Sequence, residues 1–376
     1  MKRRILFWNE YYLPTIGGIE VLCGHLSRAL QSRGYEIAVL SDDREGRREV
    51  EETIDGTRVH RLPFRRGMAG DLASIVRAKK RLALIVAEFK PDLVHLHTSG
   101  PSLFYFLEER LFREIPSLWT IHSVDYPKVE WNRRVLASVS AASAVSNYMR
   151  DQALSWSPES SPAIELVYNG LPMPELDTSP GDSVRPFVLI VGRAEPEKGF
   201  DIGLRAFAAL KDAQPGLRLK IAGDGKELLA LKELALELGI ESKVDFLGWV
   251  EPNQAPSLMA SASLALVPSR WEEPFGLVAL EAAQRGKPVV ASRVGGLPEI
   301  VVEGETGFLV AREDVGGMAG AMAKILGDST LAQEMGRQAR ERARWVFGFE
   351  RMVDEYEALY SSLSQASSKI FQPSSQ

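Results

Sequence analysis

A single cysteine, Cys23, occurs in the 376 residues. An internal disulfide framework is therefore excluded, and within a helical pattern the thiol reads as a small buried hydrophobe. All five histidines precede residue 123, and neither an HExxH pattern nor a cysteine pair accompanies them, so no metal site is expected. The chain also lacks a GxGxxG fingerprint and a Walker lysine motif, which argues against a dinucleotide enzyme and a nucleotide triphosphatase. No apolar run approaches the length of a membrane span. The opening MKRRILFWNEYYLP has four consecutive apolar residues before Asn9 and Glu10, too few for a signal-peptide core. A cytoplasmic protein is expected, and a net charge of −5 gives no global attraction for nucleic acid.

What is present is ordinary globular material, 45% hydrophobic and 25% charged, and longer than one core comfortably holds. Short β-rich runs (ILFW, YEIAVLS, DLVHLHT, PSLWTIHS, ASAVS) alternate with helical ones, the pattern of βα units on a parallel sheet. The helix starting near Gly18 carries Ile19, Leu22, Cys23, Leu26 and Leu30 at three-and-four spacing, a single buried stripe closed by Gly34. A second series runs through PFVLIVG, LRLKIAGDG, KVDFLGWV, SLALVPS, KPVVASRVGG and TGFLVA. Between the series, residues 171–186 are rich in Pro, Ser, Gly and Asp without apolar period, and read as a linker. The fold class is α/β, with domains at 1–175 and 186–345, a last helix at 346–364 and a flexible tail at 365–376.

The most informative segment is residues 268–282, PSRWEEPFGLVALEA. Pro274 ends any preceding helix and suits the start of a new one, which puts Glu273 in a loop and Glu281 on the helix. The amides of Phe275, Gly276 and Leu277 then fall where a helix leaves its first N–H groups unpaired, and its dipole adds positive charge there. The segment reads as a pocket for a phosphorylated sugar, where an anion would bind without a metal. Arg193 and Lys198 lie on GRAEPEKG directly after an apolar strand, and Gly223, Asp224 and Gly225 lie at another strand end; ligands of open α/β sheets bind beyond such ends. Gly17 and Gly18 similarly open the first helix, where exposed amides suit a phosphate or an acceptor. His95 and His97 alternate on one strand and point the same way.

In order, the segments PTIGGIE, DLVHLHT, TIHSVDY, SAVSNYMRD, YNGLP, VGRAEPEKG, AGDGKE, VDFLGWV, PSRWEEPFGLVALEA and RVGGLPEIVVEGETGFLV cover nearly the whole chain. Together they resemble the retaining, nucleotide-sugar-dependent glycosyltransferases of family 4. The resemblance implies the GT-B fold, two Rossmann-like parallel-sheet domains facing a cleft. The N-terminal one would hold the acceptor and the C-terminal one the donor, and a last helix, FERMVDEYEALY, would cross back to the N-terminal domain. It assigns Arg193 and Lys198 to the donor diphosphate, Glu281 to the ribose, and Glu273 to the hydroxyls of the transferred sugar, with Glu272 as the alternative that the seven-residue gap to Glu281 disfavours. His122 matches a histidine that contacts the transferred sugar, and His97 lies on the acceptor side with Gly17 and Gly18. Gly295, Gly296 and Glu299 match a structural turn near the donor.

The implied reaction moves a sugar from a UDP- or GDP-type donor to an acceptor hydroxyl with retention, without metal or other cofactor. The acceptor is a glycan, a lipid-linked molecule or a small molecule. An epimerase or phosphorylase on the same architecture, or an idle nucleotide-sugar binding module, is the alternative. Arg58, Arg61, Arg65, Arg66, Arg77, Lys79, Lys80 and Arg81 against Asp71 make residues 58–81 locally +7. With apolar Leu72, Ile75, Val76, Leu82, Ile85 and Val86 on one side, this predicts a basic helix suited to an anionic membrane surface, peripheral on its inner face, or to an anionic soluble acceptor.

Overall fold

The computed structural model describes residues 3–15, 17–43, 50–123, 129–175 and 186–370, with side chains to 365. Two compact units divide it: Met1–Pro172 together with Phe349–Gln376, and Met173–Gly348. Most of the linker and residues 371–376 of the tail fall outside the described residues.

The first unit is built on eight strands: β1 (Arg4–Asn9), β2 (Glu36–Asp42), β3 (Val50–Ile54), β4 (Thr57–Leu62), β5 (Leu93–His97), β6 (Ser117–Ile121), β7 (Ala141–Ala144) and β8 (Ile164–Leu166). Their order is β3-β4-β2-β1-β5-β6-β7-β8. All neighbours are parallel except β3 and β4. Every residue of β5 and β6 is buried, as expected of strands covered on both faces, the polar His95, His97, Ser117 and Thr120 included. The β3–β4 hairpin turns on Asp55 and Gly56, both at positive φ (48° and 78°), the Asp-Gly geometry whose twist matches paired antiparallel strands.

The first helix, Gly18–Ser32, starts from extended Gly17 and buries Leu22, Cys23, Leu26 and Leu30. The C-terminal helix, Phe349–Ile370, completes this unit and buries Met352, Val353, Tyr356 and Tyr360. It differs from the sequence expectation at both ends. The chain breaks at 346–348 after the helix Ser329–Trp345, and the helix then runs past residue 364 to Ile370. Residues 365–370 are polar, which suggested a loose tail, but they include no Gly or Pro to stop a helix.

The second unit has six parallel strands: β9 (Phe187–Val191), β10 (Arg218–Ala222), β11 (Val244–Gly248), β12 (Leu264–Val267), β13 (Val289–Ser292) and β14 (Gly307–Val310), in the order β11-β10-β9-β12-β13-β14. Val188, Ile190, Leu219, Ile221, Leu264, Leu266 and Val290 enter one core with Phe200, Phe207, Met318 and Met322. Because every pair is parallel, the loops at 192–199, 223–227, 268–276 and 293–296 all leave the same edge of the sheet. That edge is where open α/β sheets hold ligands.

Candidate functional site

At the C-terminal edge of the second sheet, the loops after β9 and β12 are tied together by their backbones. The Glu197 carbonyl accepts from the amides of Arg270 (2.9 Å) and Trp271 (3.1 Å), and from the Ser269 hydroxyl at 3.2 Å. Arg270 reinforces the junction with a bidentate pair to Asp201 at 2.7 and 2.8 Å. These contacts bring Lys198 to Glu273. The Lys198 Nζ lies 2.7 Å from Glu273 Oε1, and the Ser269 hydroxyl donates to the same oxygen at 2.9 Å.

The structure also separates the two adjacent glutamates. Glu272 points the other way, accepting from the Gly295 amide at 2.6 Å and pairing with Arg312. Glu273 is 9% exposed. Its carbonyl accepts from the Gly296 amide at 2.7 Å. Gly295 sits at φ 53°, and a Cβ there would collide with the Glu273 carbonyl oxygen, so the RVGG turn sets the Glu273 backbone.

The loops after β9 and β10 meet just as closely. The Ala194 amide donates to the Asp224 carbonyl at 2.9 Å, and the Gly192 amide to the Ala222 carbonyl at 3.0 Å. Gly223, at φ 146°, is packed so tightly on the Gly192 carbonyl that no side chain fits. Arg193 is exposed on this shelf, and among the described residues its guanidinium makes no hydrogen bond or ion pair.

Beyond Glu273 the chain turns through buried Phe275 and Gly276 (φ 110°) into the helix Leu277–Gln284. The sequence placed the amides of Phe275, Gly276 and Leu277 at the helix start. Of these only Leu277 is helical, with Gly276 as the cap; the Leu280 amide is the first to close on the Gly276 carbonyl, at 3.1 Å, so the amides outside the ladder are those of Gly276, Leu277, Val278 and Ala279. Two residues, Phe275 and Gly276, separate Pro274 from the helix, because Gly276 at positive φ makes the cap. Glu281 lies on this helix, where burial pushes its carboxyl up and nearby Arg285 pulls it down. Arg285 also donates to the Glu281 carbonyl at 2.9 Å.

In the first unit, the ends of β5 and β6 hold a histidine cluster. His95 is fixed on both nitrogens, Nδ1 to the Tyr360 hydroxyl and Nε2 to the Thr120 hydroxyl, each at 2.7 Å. Its ring lies 3.8 Å from that of His97, as the strand period requires. His97 Nδ1 lies 3.0 Å from Nε2 of His122, which follows β6 directly. Burial lowers the pKa of all three, that of His122 to about 4. The cluster is therefore neutral near pH 7, so one member of the His97–His122 pair donates and the other accepts. Gly17 caps the first helix and Gly18 begins it, with the Val21 amide closing on the Gly17 carbonyl at 3.1 Å.

Sequence reading missed an acidic group on the same unit. Glu10 follows β1 and Asp42 ends β2, both at the C-terminal edge of the sheet. Arg65 bridges them, 2.9 Å from Glu10 and 3.4 Å from Asp42, and Thr98 donates to Glu10 at 2.8 Å. Burial raises the Asp42 pKa to about 6. The available signal was a carboxylate at the end of each of two neighbouring strands.

The basic stretch changes character once folded. Arg58 pairs with Glu88, Arg61 with Glu52, Arg65 with Glu10, Arg66 and Arg77 with Asp71, Lys79 with Glu109, and Arg81 with Glu51. The local excess of +7 is thus largely balanced by acids from other elements, which a window along the sequence does not see. The helix Leu72–Phe89 nevertheless leaves Leu72, Val76 and Leu84 exposed (73%, 52% and 60%). No helix among the described residues is long and apolar enough to cross a membrane.

Two family models match the chain: Glycosyltransferase Family 4 over residues 16–173 and Glycosyl transferases group 1 over residues 178–342. Glycogen synthase of Mycobacterium tuberculosis is 31% identical over 400 residues, covering 95% of this chain and 94% of the relative. D-inositol 3-phosphate glycosyltransferase of Corynebacterium efficiens is 40% identical over 185 residues, 48% of this chain and 43% of the relative. Among solved structures, sucrose-phosphate synthase from Thermosynechococcus elongatus superposes with a TM-score of 0.83 at 24% identity, over 97% of this chain and 100% of that one. Anabaena HepE in complex with UDP and glucose gives 0.80 at 22% identity, over 95% and 99%.

Proposed function

Because the chain belongs to the family 4 glycosyltransferases, an enzyme family of GT-B fold, we propose that it transfers a sugar, with retention of configuration and without a metal ion, from a UDP-type donor to an acceptor hydroxyl. The observation that carries this reading is the Lys198–Glu273 pair at 2.7 Å, set between the unpaired Arg193 and the start of the helix Leu277–Gln284. Support for uridine over guanosine comes from the UDP and glucose bound by HepE.

Breaking the bond between the sugar and the diphosphate leaves negative charge on the departing β-phosphate. Arg193, Lys198 and the amides of Leu277, Val278 and Ala279 supply the fixed positive groups that stabilise it, the role a divalent cation would otherwise take. Glu273 accepts from hydroxyls of the transferred sugar, and Ser269 and Lys198 hold its carboxylate for that task. Glu281 accepts from the ribose. As the C1–phosphate bond breaks, the acceptor oxygen bonds to C1 from the same face, and its proton passes to the leaving phosphate. No protein nucleophile is needed. His122, neutral, meets a hydroxyl of the sugar, and His97 fixes its tautomer. Gly17 and Gly18 present amides to the acceptor side.

The test is transfer by Lys198→Ala and Glu273→Gln variants with unchanged melting curves. Each is expected to lose about 10²–10³ in kcat. Full rates in both would contradict the assignment.

A second reading concerns the acceptor. The exposed Leu72, Val76 and Leu84, on a helix that also carries Lys80, favour contact with an anionic lipid surface and hence a lipid-linked acceptor. Flotation with anionic but not neutral liposomes supports it; the absence of any dependence on anionic lipid removes it.

A further inference from the structure

Beside the histidine cluster the first unit buries polar atoms that no described residue satisfies. His97 Nε2 and both the oxygen and nitrogen of the Asn9 carboxamide are buried without a hydrogen-bond partner. Asn9 is 0% exposed and His97 3%. The two are register neighbours, at the ends of β1 and β5. Cys23, 0% exposed on the first helix, completes the group. Burial pushes its thiol strongly up, and its contact with the Asn9 carboxamide offsets only part of that. Leaving such groups unpaired costs about 1–3 kcal/mol each, so a buried set of them calls for an occupant.

The chemistry of the set selects that occupant. One ligand atom each from Cys23, His97 and His122 lies within 4.8 Å of the other two. Bond lengths of about 2.3 Å to sulfur and 2.0–2.1 Å to nitrogen put tetrahedral ligand atoms roughly 3.3–3.6 Å apart, so closure around an ion needs movements of about 1 Å. The His97 Nδ1 and His122 Nε2 atoms already approach to 3.0 Å. Both imidazoles are neutral, and the hydrogen bond between them engages one of their two lone pairs, so an ion that takes both must displace that bond. Thiolate with imidazole suits a borderline-soft cation, while magnesium and calcium prefer oxygen. The Asn9 oxygen, on the register neighbour of His97, is a further unpaired ligand atom.

We propose that Cys23, His97 and His122, with Asn9 beside them, bind one cation of the zinc class, and that this ion inhibits transfer by occupying His122. On binding, the thiol proton leaves to solvent and the sulfur and imidazole lone pairs bond to the ion. The ion is no cofactor of the reaction. The inhibitory half rests on the function proposed above; the binding half does not.

Cys23 is the only cysteine, so any thiolate-to-metal signal comes from it. The experiment is titration of the chelator-stripped protein with Co2+, read by absorbance. A thiolate-to-cobalt charge-transfer band saturating at one ion per chain, displaced by Zn2+ but not by Mg2+, is the expected result. Cys23→Ala removes the band and weakens zinc inhibition of transfer by about 100-fold, leaving the metal-free rate unchanged. No band in the wild-type protein at saturating Co2+ overturns the proposal, whatever the variant does, and assigns the pocket to water. A band without zinc inhibition overturns the inhibitory half. Failure of transfer with every donor, with the band intact, counts against the proposed function alone.

Discussion

At the scale of single residues, two buried groups push stability in opposite directions as pH changes. Burial raises Asp42 from 3.8 to about 6, so between those values the folded protein binds more protons than the unfolded chain and stability falls as pH rises. The loss is of order 3 kcal/mol for an isolated group. His122 is lowered from 6.5 to about 4, so there the folded protein binds fewer protons and stability rises with pH through that window. Thermal melts of Asp42→Asn should therefore gain on wild type from pH 4 to above 6, and those of His122→Gln should gain as pH falls from 6.5 to 4. Parallel curves for either variant would contradict the burial that produces the shift. The histidines stood out in the sequence because rare residues at alternating positions are conspicuous. Asp42 and Glu10 did not, because one carboxylate among fifty acids carries no local pattern; only the parallel pairing of β1 and β2 makes them neighbours.

Elements were legible where a local period or breaker dictates them. The strands β1, β2, β5, β6 and β7, and all six of the second unit, coincide with the β-rich runs read from the sequence, which are mostly apolar because most of their residues are buried. The β3–β4 hairpin was missed despite its Asp55-Gly56 turn, because VEETI is a polar edge strand and TRVHRL, between it and β2, is interrupted by two arginines and a histidine. The separation of Glu272 from Glu273 rested in sequence on spacing alone. In the structure it has a physical basis in the Gly295 turn, which takes Glu272 and leaves Glu273 to Lys198. Gly295→Ala is expected to disturb that separation, since a Cβ would strike the Glu273 carbonyl at a φ that alanine disfavours. We expect a loss of about 1–3 kcal/mol in stability together with weaker donor binding. Calorimetric donor affinity equal to wild type would show that the turn does not set the site.

For the whole molecule, the C-terminal helix matters beyond its length, because its tyrosines finish the core of the first unit. Tyr360 satisfies His95, and Tyr356 accepts from the Thr120 hydroxyl at 3.3 Å. Ending the chain at Gly348 strips both partners from a buried network, at about 1–3 kcal/mol for each polar atom left unpaired, in addition to the apolar surface exposed. Calorimetry of that truncation should show the transition of the first unit lost or sharply lowered and that of the second retained; two unchanged transitions would contradict the assignment of the helix to the first unit. The central claim, a donor site in the second unit that works by fixed protein charge, is tested most directly by incubating the full chain with UDP-, GDP- and ADP-sugars in EDTA and measuring release of free nucleoside diphosphate. Release from a UDP-sugar, undiminished by EDTA and abolished in Lys198→Ala, is the predicted result. Turnover that stops in EDTA and returns with a divalent cation would contradict it.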